Sequence, residues 1–350
     1  MEKLLERVAN GERLSPEDGL RLLEQASLHD LGQAAHRARL LRNEPGRVTY
    51  IVDTNVNYTN ICSSQCKFCA FWRPPESPEA YLLGVEEWEA CLAEAGAEGI
   101  TTVLLQGGLN PEVSLDYMKE MVRAAREYPV HLHAFSPPEV DFVARKEGLS
   151  TRQVLRELWS AGLRTMPGGG AEILSDRIRA ELSPNKVSAS GWLGVMREAH
   201  ELGFRTTATM MFGTIETPLE IITHLHAIRA LQDETGGFTA FIAWDFKPGN
   251  TLLKSIPPAS PLLYLRVIAL ARLFLDNFHH IQASWSSQGK EIGQLALFYG
   301  ADDLGSLLVE ENVMRLAGHR LTSTEEELRG LIWAAGFQPA RRDTGYNIVG

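Results

Sequence analysis

Short apolar segments typical of β-strands alternate with longer helical patterns from residue 48 almost to the end of the chain. Between successive segments there is room for a helix that brings the chain back to the same end of a sheet, which is the pattern of parallel βα units. Eight segments fit: VTYIVDTNVNY (48–58), TTVLLQG (101–107), VHLHAFS (130–136), LRTMPG (163–168), RTTATMMFG (205–213), FTAFIAWDF (238–246), HIQASWS (280–286) and GSLLVEE (305–311). The sequence therefore predicts an α/β fold, a (β/α)8 barrel of the TIM type.

A helical segment precedes the first predicted strand. Leu4, Leu5 and Val8 recur at helical spacing, and Ser15-Pro16 is typical of a helix start. No proline- or glycine-rich linker divides the rest of the chain. We therefore predict an N-terminal helical extension over residues 1–46, followed by one barrel with a C-terminal helix and tail over residues 47–350.

The charge balance excludes some classes of partner. The formal net charge is −10 and no lysine- or arginine-rich run interrupts it, so nucleic acid is not an expected partner. No stretch approaches the roughly 18 to 20 apolar residues needed to span a membrane, and the charged first residues are unlike a secretion signal. We expect a cytoplasmic protein, in which clustered cysteines bind metal or take part in chemistry instead of forming disulfides.

Three of the four cysteines are clustered directly after the first predicted strand. Cys62, Cys66 and Cys69 form a CxxxCxxC pattern, whereas Cys91 belongs to a helical pattern typical of core packing. Structural zinc takes four protein ligands, and no histidine lies in the loop to complete such a set. Three thiolates can instead hold three irons of a [4Fe-4S] cluster and leave the fourth iron open to another ligand. A zinc loop and a simple electron-transfer loop remain the alternatives.

The CxxxCxΦC pattern, with an aromatic residue before its last cysteine and a position after the first barrel strand, resembles the radical S-adenosylmethionine (SAM) superfamily. This resemblance implies a barrel of the radical SAM type, with SAM chelated to the open iron of the cluster. It also implies that SAM is cleaved to a 5′-deoxyadenosyl radical, which abstracts hydrogen from an unactivated carbon. The cofactor then supplies the difficult step, and the protein supplies geometry and exclusion of water.

The same resemblance implies contacts to SAM. The loop after the second strand usually reads Gly-Gly-Glu in this superfamily and holds the methionyl amino group, whereas here it reads Gln106-Gly107-Gly108 and lacks the acid. The amino contact would then come from Gln106 or from main-chain carbonyls. The remaining expected SAM contacts are two aromatic residues of the cysteine loop and two residues at positions that bind the SAM ribose in related enzymes: Phe68, Phe71, Ser136 and Glu172.

The first strand has one polar face. Asp53, Asn55 and Asn57 alternate with apolar neighbours, so they share one side of the strand. Burying such groups without partners costs several kcal/mol. Either a polar substrate lies against them in the barrel, or they belong to a structural hydrogen-bond network.

Long segments from Tyr50 onward resemble the menaquinone and deazaflavin biosynthesis enzymes of the superfamily, and most closely the dehypoxanthine futalosine cyclases. They are NYTNICSSQCKFCAFWR, MPGGGAEIL, TTATMMFGTIET, LQDETGGFTAFIAWDFKPGNT and SWSSQGKEIGQLAL. The resemblance implies that dehypoxanthine futalosine is the substrate and that a radical at its ribose C4′ adds to the benzoate ring. It also implies an electron donor such as flavodoxin or ferredoxin. Aminofutalosine synthase and an FO synthase-like enzyme are the alternatives.

Ring closure needs a base and donors for the benzoate carboxylate. Asp245, Glu216 and His133 each end a predicted strand, and we expect the base among them, although His131 and His133 could equally be core histidines. For the carboxylate the candidates are Arg73 and three residues after the seventh predicted strand: Ser286, Ser287 and Gln288.

Overall fold

The computed structural model describes residues 1–307, 312–319 and 321–349. Ten named strands form one sheet in which every pair of neighbouring strands is parallel. Their bounds are β1 (Arg47–Ile51), β2 (Asp53–Asn57), β3 (Thr102–Gln106), β4 (His131–Ala134), β5 (Thr165–Met166), β6 (Arg205–Phe212), β7 (Phe238–Asp245), β8 (His280–Gln282), β9 (Asp303–Ser306) and β10 (Gln338–Arg341).

The sheet closes on the strand that begins it. β1 and β2 are two halves of one extended segment, separated only by Val52. β1 pairs with β9, β2 pairs with β3, and the strands between them pair in sequence order. Eight strand positions therefore surround one axis, and the predicted α/β barrel is confirmed.

Helices connect the strands as a parallel barrel requires. α10 shows why such segments become helical: Thr217 and Glu220 form a capping box, Pro218 starts the helix, and Gly236 ends it in the left-handed conformation. The helix bounds are α1 (Glu2–Ala9), α2 (Pro16–Gln25), α3 (Leu28–Arg42), α4 (Val85–Ala97), α5 (Leu115–Ala125), α6 (Pro137–Glu147), α7 (Thr151–Ala161), α8 (Asp176–Leu182), α9 (Ala189–Glu201), α10 (Pro218–Thr235), α11 (Pro261–Phe274), α12 (Trp285–Gln288), α13 (Lys290–Ala296), α14 (Val313–Leu316) and α15 (Glu325–Ala334).

The N-terminal helices cover two helices of the barrel. α2 packs against α10, and α3 packs against α11. α11 is apolar nearly all round and almost completely buried, as expected for a helix enclosed on both sides. Residues 2–42 are thus largely helical, as expected, whereas the division of the chain at residue 46 stays a prediction.

Most predicted strands lie where expected, with two differences near the end of the chain. The eighth prediction covered 305–311, but β9 spans Asp303–Ser306, and residues 308–311 lie outside the described residues. β10 was not predicted, because QPAR contains a proline and lacks apolar alternation; it extends the sheet beside β1 only. In the described part of the chain, no helix is long and apolar enough to cross a membrane.

Candidate active site

The loop after β2 brings the three clustered thiols to one cavity of about 220 Å3. Cys62, Cys66 and Cys69 all line it, while Cys91 lies apart in α4 and packs against the core. Among the described residues, no group of three His, Cys, Asp or Glu side chains is arranged to hold a metal ion. Three thiols around a cavity suit a cluster of several irons better than a single zinc ion.

Arg73 holds this loop in shape. Its NH1 group donates to the main-chain carbonyls of Ala70, Phe71 and Trp72, and its Nε donates to Glu79 at 2.6 Å. These hydrogen bonds hold the guanidinium against the loop, and Arg73 does not line the barrel cavity that is described below. The expectation that Arg73 faces a substrate carboxylate is therefore not met.

The loop after β3 packs so closely against the cysteine loop that the two backbones are in contact. A Cβ at Gly108 would lie 2.2 Å from the carbonyl oxygen of Ile61, and one at Gly107 would lie 2.6 Å from the Tyr58 ring. Gln106, Gly107 and Gly108 all line the cluster cavity. Only glycine permits so close an approach of two chain segments.

Glu139 supplies an acid that the glycine loop itself lacks. Its Oε1 accepts from the Gly107 main-chain N–H at 3.1 Å and from the Tyr58 hydroxyl at 2.7 Å, and its Oε2 accepts from the N–H and hydroxyl of Ser136. Burial raises the pKa of this carboxyl, while these hydrogen bonds favour its ionised form. Glu139 and Ser136 both line the cluster cavity, with the Ser136 hydroxyl already engaged as the cap of α6.

Glu172 and Lys186 form a buried ion pair beside the thiols. Lys186 Nζ donates to Glu172 Oε1 at 2.7 Å and lies 5.3 Å from the centre of the Phe68 ring. Burial opposes both charges, but Lys186 holds the pKa of Glu172 below its usual value, and Cys66 and Glu172 raise the pKa of Lys186. Lys186 lines the cavity together with Phe68 and Phe71. Glu172 does not line the cavity but binds Lys186, which does.

These residues fit the cofactors that the sequence implies. Cys62, Cys66 and Cys69 would hold three irons, and burial raises the pKa of the Cys66 thiol, and that of Cys69 to about 11, in the metal-free chain. SAM carries an amino group and a carboxylate, so the carbonyls of the glycine loop and the ammonium of Lys186 are complementary to it. Gly107 and Gly108 line the cavity beside the three thiols, where such a ligand would lie.

A second cavity of about 340 Å3 fills the barrel below the cluster cavity, and Gln106 lines both. The inward side chains form layers, because residues paired in register point to the same face. Asn57 pairs with Gln106 in the upper layer, Asn55 stands level with His133 across Leu104 in the middle layer, and Asp53 pairs with Thr102 in the lower layer. Successive layers are roughly 6.6 Å apart along a strand.

The polar face of the first strand is divided between the two cavities. Asp53 and Asn55 line the barrel cavity and Asn57 lines the cluster cavity. The amide oxygen of Asn55 and Nδ1 of His133 are buried without a hydrogen-bond partner. Burial lowers the pKa of His133 to about 3, so the ring is neutral at physiological pH. Buried polar atoms that lack protein partners mark a place where a ligand can bind.

Asp245 and Glu216 do not face the barrel cavity. Ile242 and Trp244 on β7 line it, so Asp245 points to the outer side of that strand, where its Oδ2 accepts from Lys247 Nζ at 2.8 Å. Glu216 accepts from the main-chain N–H groups of Gly213 and Thr214 and thereby closes its own loop. Of the three predicted bases, only His133 lines the cavity.

The turn after β8 contributes one predicted residue to the cavity. Ser286 lines it, together with Ser284, which was not among the predicted site residues. The Ser287 hydroxyl donates to the carbonyl of Ser284 within α12, and Gln288 is absent from the lining residues of the barrel cavity. Ser287 and Gln288 therefore do not meet the expectation of facing the substrate.

Sequence reasoning also missed several residues of the site. Glu139 and Lys186 line the cluster cavity, and Arg342 lines the floor of the barrel cavity. The capping pattern Ser136-Pro-Pro-Glu139 was a signal for a buried acid next to the expected SAM contact. Nothing in the spacing of Arg342 pointed to the barrel, because it follows the unpredicted strand β10.

This chain is similar to known proteins over nearly its whole length. Residues 56–228 match the model of the radical SAM superfamily, and residues 235–349 match the CofH/MqnC C-terminal region. A relative named cyclic dehypoxanthine futalosine synthase, from Halalkalibacterium halodurans, is 41% identical over 99% of this chain and 94% of its own. Another of that name, from Streptomyces coelicolor, is 42% identical over 99% and 88% of the two chains.

Other relatives carry a different name, and the solved structures share the fold. A chain from Methanopyrus kandleri named 5-amino-6-(D-ribitylamino)uracil–L-tyrosine 4-hydroxyphenyl transferase is 42% identical over 91% of this chain and 88% of its own. The crystal structure of methylornithine synthase (PylB) superposes with a TM-score of 0.74 at 19% identity and covers 97% of both chains.

Proposed function

Because the chain belongs to the radical SAM superfamily, and within it to the proteins that carry the CofH/MqnC C-terminal region, we propose that it cyclises dehypoxanthine futalosine in menaquinone biosynthesis. The observation that carries this proposal is the similarity to two relatives named for that reaction over 99% of the chain. Two neighbouring cavities that share Gln106 as a lining residue, one suited to the cofactors and one to a substrate, support it.

When bound, the [4Fe-4S] cluster and SAM would supply a 5′-deoxyadenosyl radical that takes the ribose C4′ hydrogen, and the oxidised cluster would accept the one electron released after ring closure. The carbon radical at C4′ adds to the neighbouring benzoate ring, which must then lose a proton. The task of this chain is to hold C4′ near the upper layer of the barrel and the ring within reach of C4′. Water must be kept out while the radical exists.

The residues of the middle layer, Asn55 and His133, would bind the part of the substrate next to the reacting C4′ atom. Asn55 and His133 lie one layer below Gln106, and each has an unpartnered polar atom. A neutral His133 and the Asn55 amide would bind the ribose hydroxyls or the ketone of the substrate. Ser284 and Ser286 would donate to the benzoate carboxylate, because both line the cavity and carry hydroxyl groups.

The transferase named for the archaeal relatives is a second candidate function, favoured by 42% identity over 91% of this chain. Such an enzyme would transfer the 4-hydroxyphenyl part of tyrosine to 5-amino-6-(D-ribitylamino)uracil and would need no ring closure within one molecule. The barrel cavity, which has both apolar and polar lining residues, is compatible with either substrate set.

Product mass separates the two functions. The anaerobically reconstituted protein is incubated with SAM, a reductant and dehypoxanthine futalosine, and in parallel with tyrosine and the ribitylaminouracil. Cyclisation gives a product lighter than dehypoxanthine futalosine by two hydrogen atoms. A joined product from the second mixture, with dehypoxanthine futalosine unchanged, would replace the first function by the second.

We further propose a low-potential donor such as flavodoxin or ferredoxin for the first reduction. A reducing compartment, the cytoplasm, fits a cysteine trio that must stay reduced to bind iron. The test is to mix the reconstituted protein with reduced flavodoxin or reduced ferredoxin and to monitor reduction of the cluster by its absorbance.

A further inference from the structure

Ring closure by the proposed function releases a proton inside the barrel, and the structure offers few groups to receive it. Asp53 is the one carboxylate among the residues that line the barrel cavity, within the part of the chain that is described. Asp245 and Glu216 are turned away, as shown above. His133 faces the cavity, but burial lowers its pKa to about 3, which makes its ring a poor proton acceptor.

Asp53 lies in the lower layer, on the same strand face as Asn55 and one layer beneath it. The step from Asn55 to Asp53 is roughly 6.6 Å along the strand, about the width of an aromatic ring with its hydrogens. A substrate whose ribose lies against Asn55 therefore brings its ring close to the Asp53 carboxylate. Asp53 is buried, so bulk water does not compete for the proton.

Polar side chains surround Asp53 at the floor of the cavity. The hydroxyl of Ser306 donates to Asp53 Oδ2. The nearby guanidinium of Arg342 is paired with a different carboxylate: its Nε and NH2 groups donate to the two oxygens of Asp303, at 2.5 and 3.0 Å.

We propose that Asp53 is the catalytic base that removes the ring proton after C4′ has bonded to the benzoate ring, an inference that rests on the proposed function. The electron and proton balance is complete. Bound SAM and the cluster would supply the radical that removes the C4′ hydrogen atom and would accept the remaining electron. The C4′–aryl bond would form, and the Asp53 carboxylate would take the ring proton. The carbon–hydrogen bond of the ring breaks, and the ring becomes aromatic again.

The test measures coupling between radical formation and cyclisation. Asp53→Asn keeps the size of the side chain and an oxygen for Ser306, and Asp53→Ser is a second variant without a carboxylate. The reconstituted proteins receive SAM, reductant and dehypoxanthine futalosine deuterated at C4′. Cyclised product, 5′-deoxyadenosine and its deuterium content are measured together by mass spectrometry.

We expect both variants to form deuterated 5′-deoxyadenosine while the ratio of cyclised product to 5′-deoxyadenosine falls about 100-fold, the usual effect of losing a general base. Asp245→Asn, a buried carboxylate at the end of β7 outside the cavity, is the matched control and should keep the wild-type ratio. A ratio within twofold of wild type in Asp53→Asn would overturn the proposal. So would parallel loss of deuterium transfer and product, because Asp53 would then act in binding. If the wild-type protein makes no cyclised product, the proposed function fails instead.

Discussion

Glu139 Oε1 accepts a hydrogen bond from the main-chain N–H of Gly107 at 3.1 Å, across 32 residues of sequence. The same carboxylate accepts from Tyr58 and Ser136, so one buried side chain joins the β2, β3 and β4 ends of the barrel. This arrangement explains how a glycine loop that lacks its own acid is held beside the thiols. The acid comes from the first turn of α6.

Replacing Glu139 by alanine should loosen the cofactor site. The change leaves the Gly107 N–H, the Ser136 N–H and the Tyr58 hydroxyl without their buried acceptor, at a cost of about 2 kcal/mol or more in the free energy of unfolding. We also expect weaker SAM binding, measured as a smaller SAM-induced change in the electron paramagnetic resonance spectrum of the reduced cluster. Glu139→Gln, which keeps one oxygen, should lie between wild type and alanine. Wild-type SAM binding in Glu139→Ala would refute this role.

Alanine at each cysteine should separate the cluster ligands from the core thiol. Cys62→Ala, Cys66→Ala and Cys69→Ala should each lose most of the bound iron and sulfide and form no 5′-deoxyadenosine. Cys91→Ala should retain both, because Cys91 lies in α4 against the core. Iron and sulfide analysis of anaerobically purified protein is the measurement. Zinc in place of iron and sulfide in the wild-type protein would contradict the cluster assignment.

Gly108→Ala should disrupt the cysteine loop. The added Cβ would come within 2.2 Å of the Ile61 carbonyl oxygen and 2.8 Å of the Cys62 Cβ, and neither backbone segment can move freely. We expect less iron per chain and a lower melting temperature. Gly194→Ala is the control, because nothing lies within 4 Å of its Cβ in α9, where alanine should stabilise the helix by about 1 kcal/mol. Equal iron content in the two variants would speak against the contact.

His224 should make stability depend on pH. It is fully buried, its Nδ1 accepts from the Leu174 N–H, and burial lowers its pKa from 6.5 to about 3. Below pH 6.5 the unfolded chain binds a proton that the folded chain does not, so stability falls as the pH falls towards 3, by up to about 1.4 kcal/mol per pH unit. His224→Asn keeps an acceptor for Leu174 and should lessen this dependence by the contribution of one proton in urea unfolding between pH 7.5 and 5.5, while the buried His133 and His200 keep theirs. The exposed His29→Gln should leave it unchanged, and an equal slope in His224→Asn would exclude His224 as its source.

The sequence predicted the parts of the site that depend on local spacing. The cysteine trio, the glycine loop and the polar face of the first strand all lie at the cavities, because strand period and loop position are visible in one segment of chain. Two of the predicted bases, Asp245 and Glu216, do not line the barrel cavity. The sequence shows where a strand ends, but the face that its last residue takes depends on strand register.

The residues that were missed depend on contacts between distant segments. Arg342 enters the barrel only because β10 pairs with β1, and the pattern of QPAR gives no sign of that pairing. Lys186 lines the cluster cavity and pairs there with Glu172, and neither the burial nor the pairing of a single lysine is visible in the sequence. The role of such residues can be stated only from the folded barrel, in which the distant segments are in contact.

Transfer of deuterium is the most direct test of the central claim, that this chain directs a radical to the ribose of dehypoxanthine futalosine. Substrate deuterated at C4′ is converted by the reconstituted wild-type protein in unlabelled buffer. We predict one deuterium in the 5′-deoxyadenosine and one cyclised product, lighter by a deuterium and a hydrogen, for each 5′-deoxyadenosine formed. Unlabelled 5′-deoxyadenosine together with unchanged substrate would contradict the account.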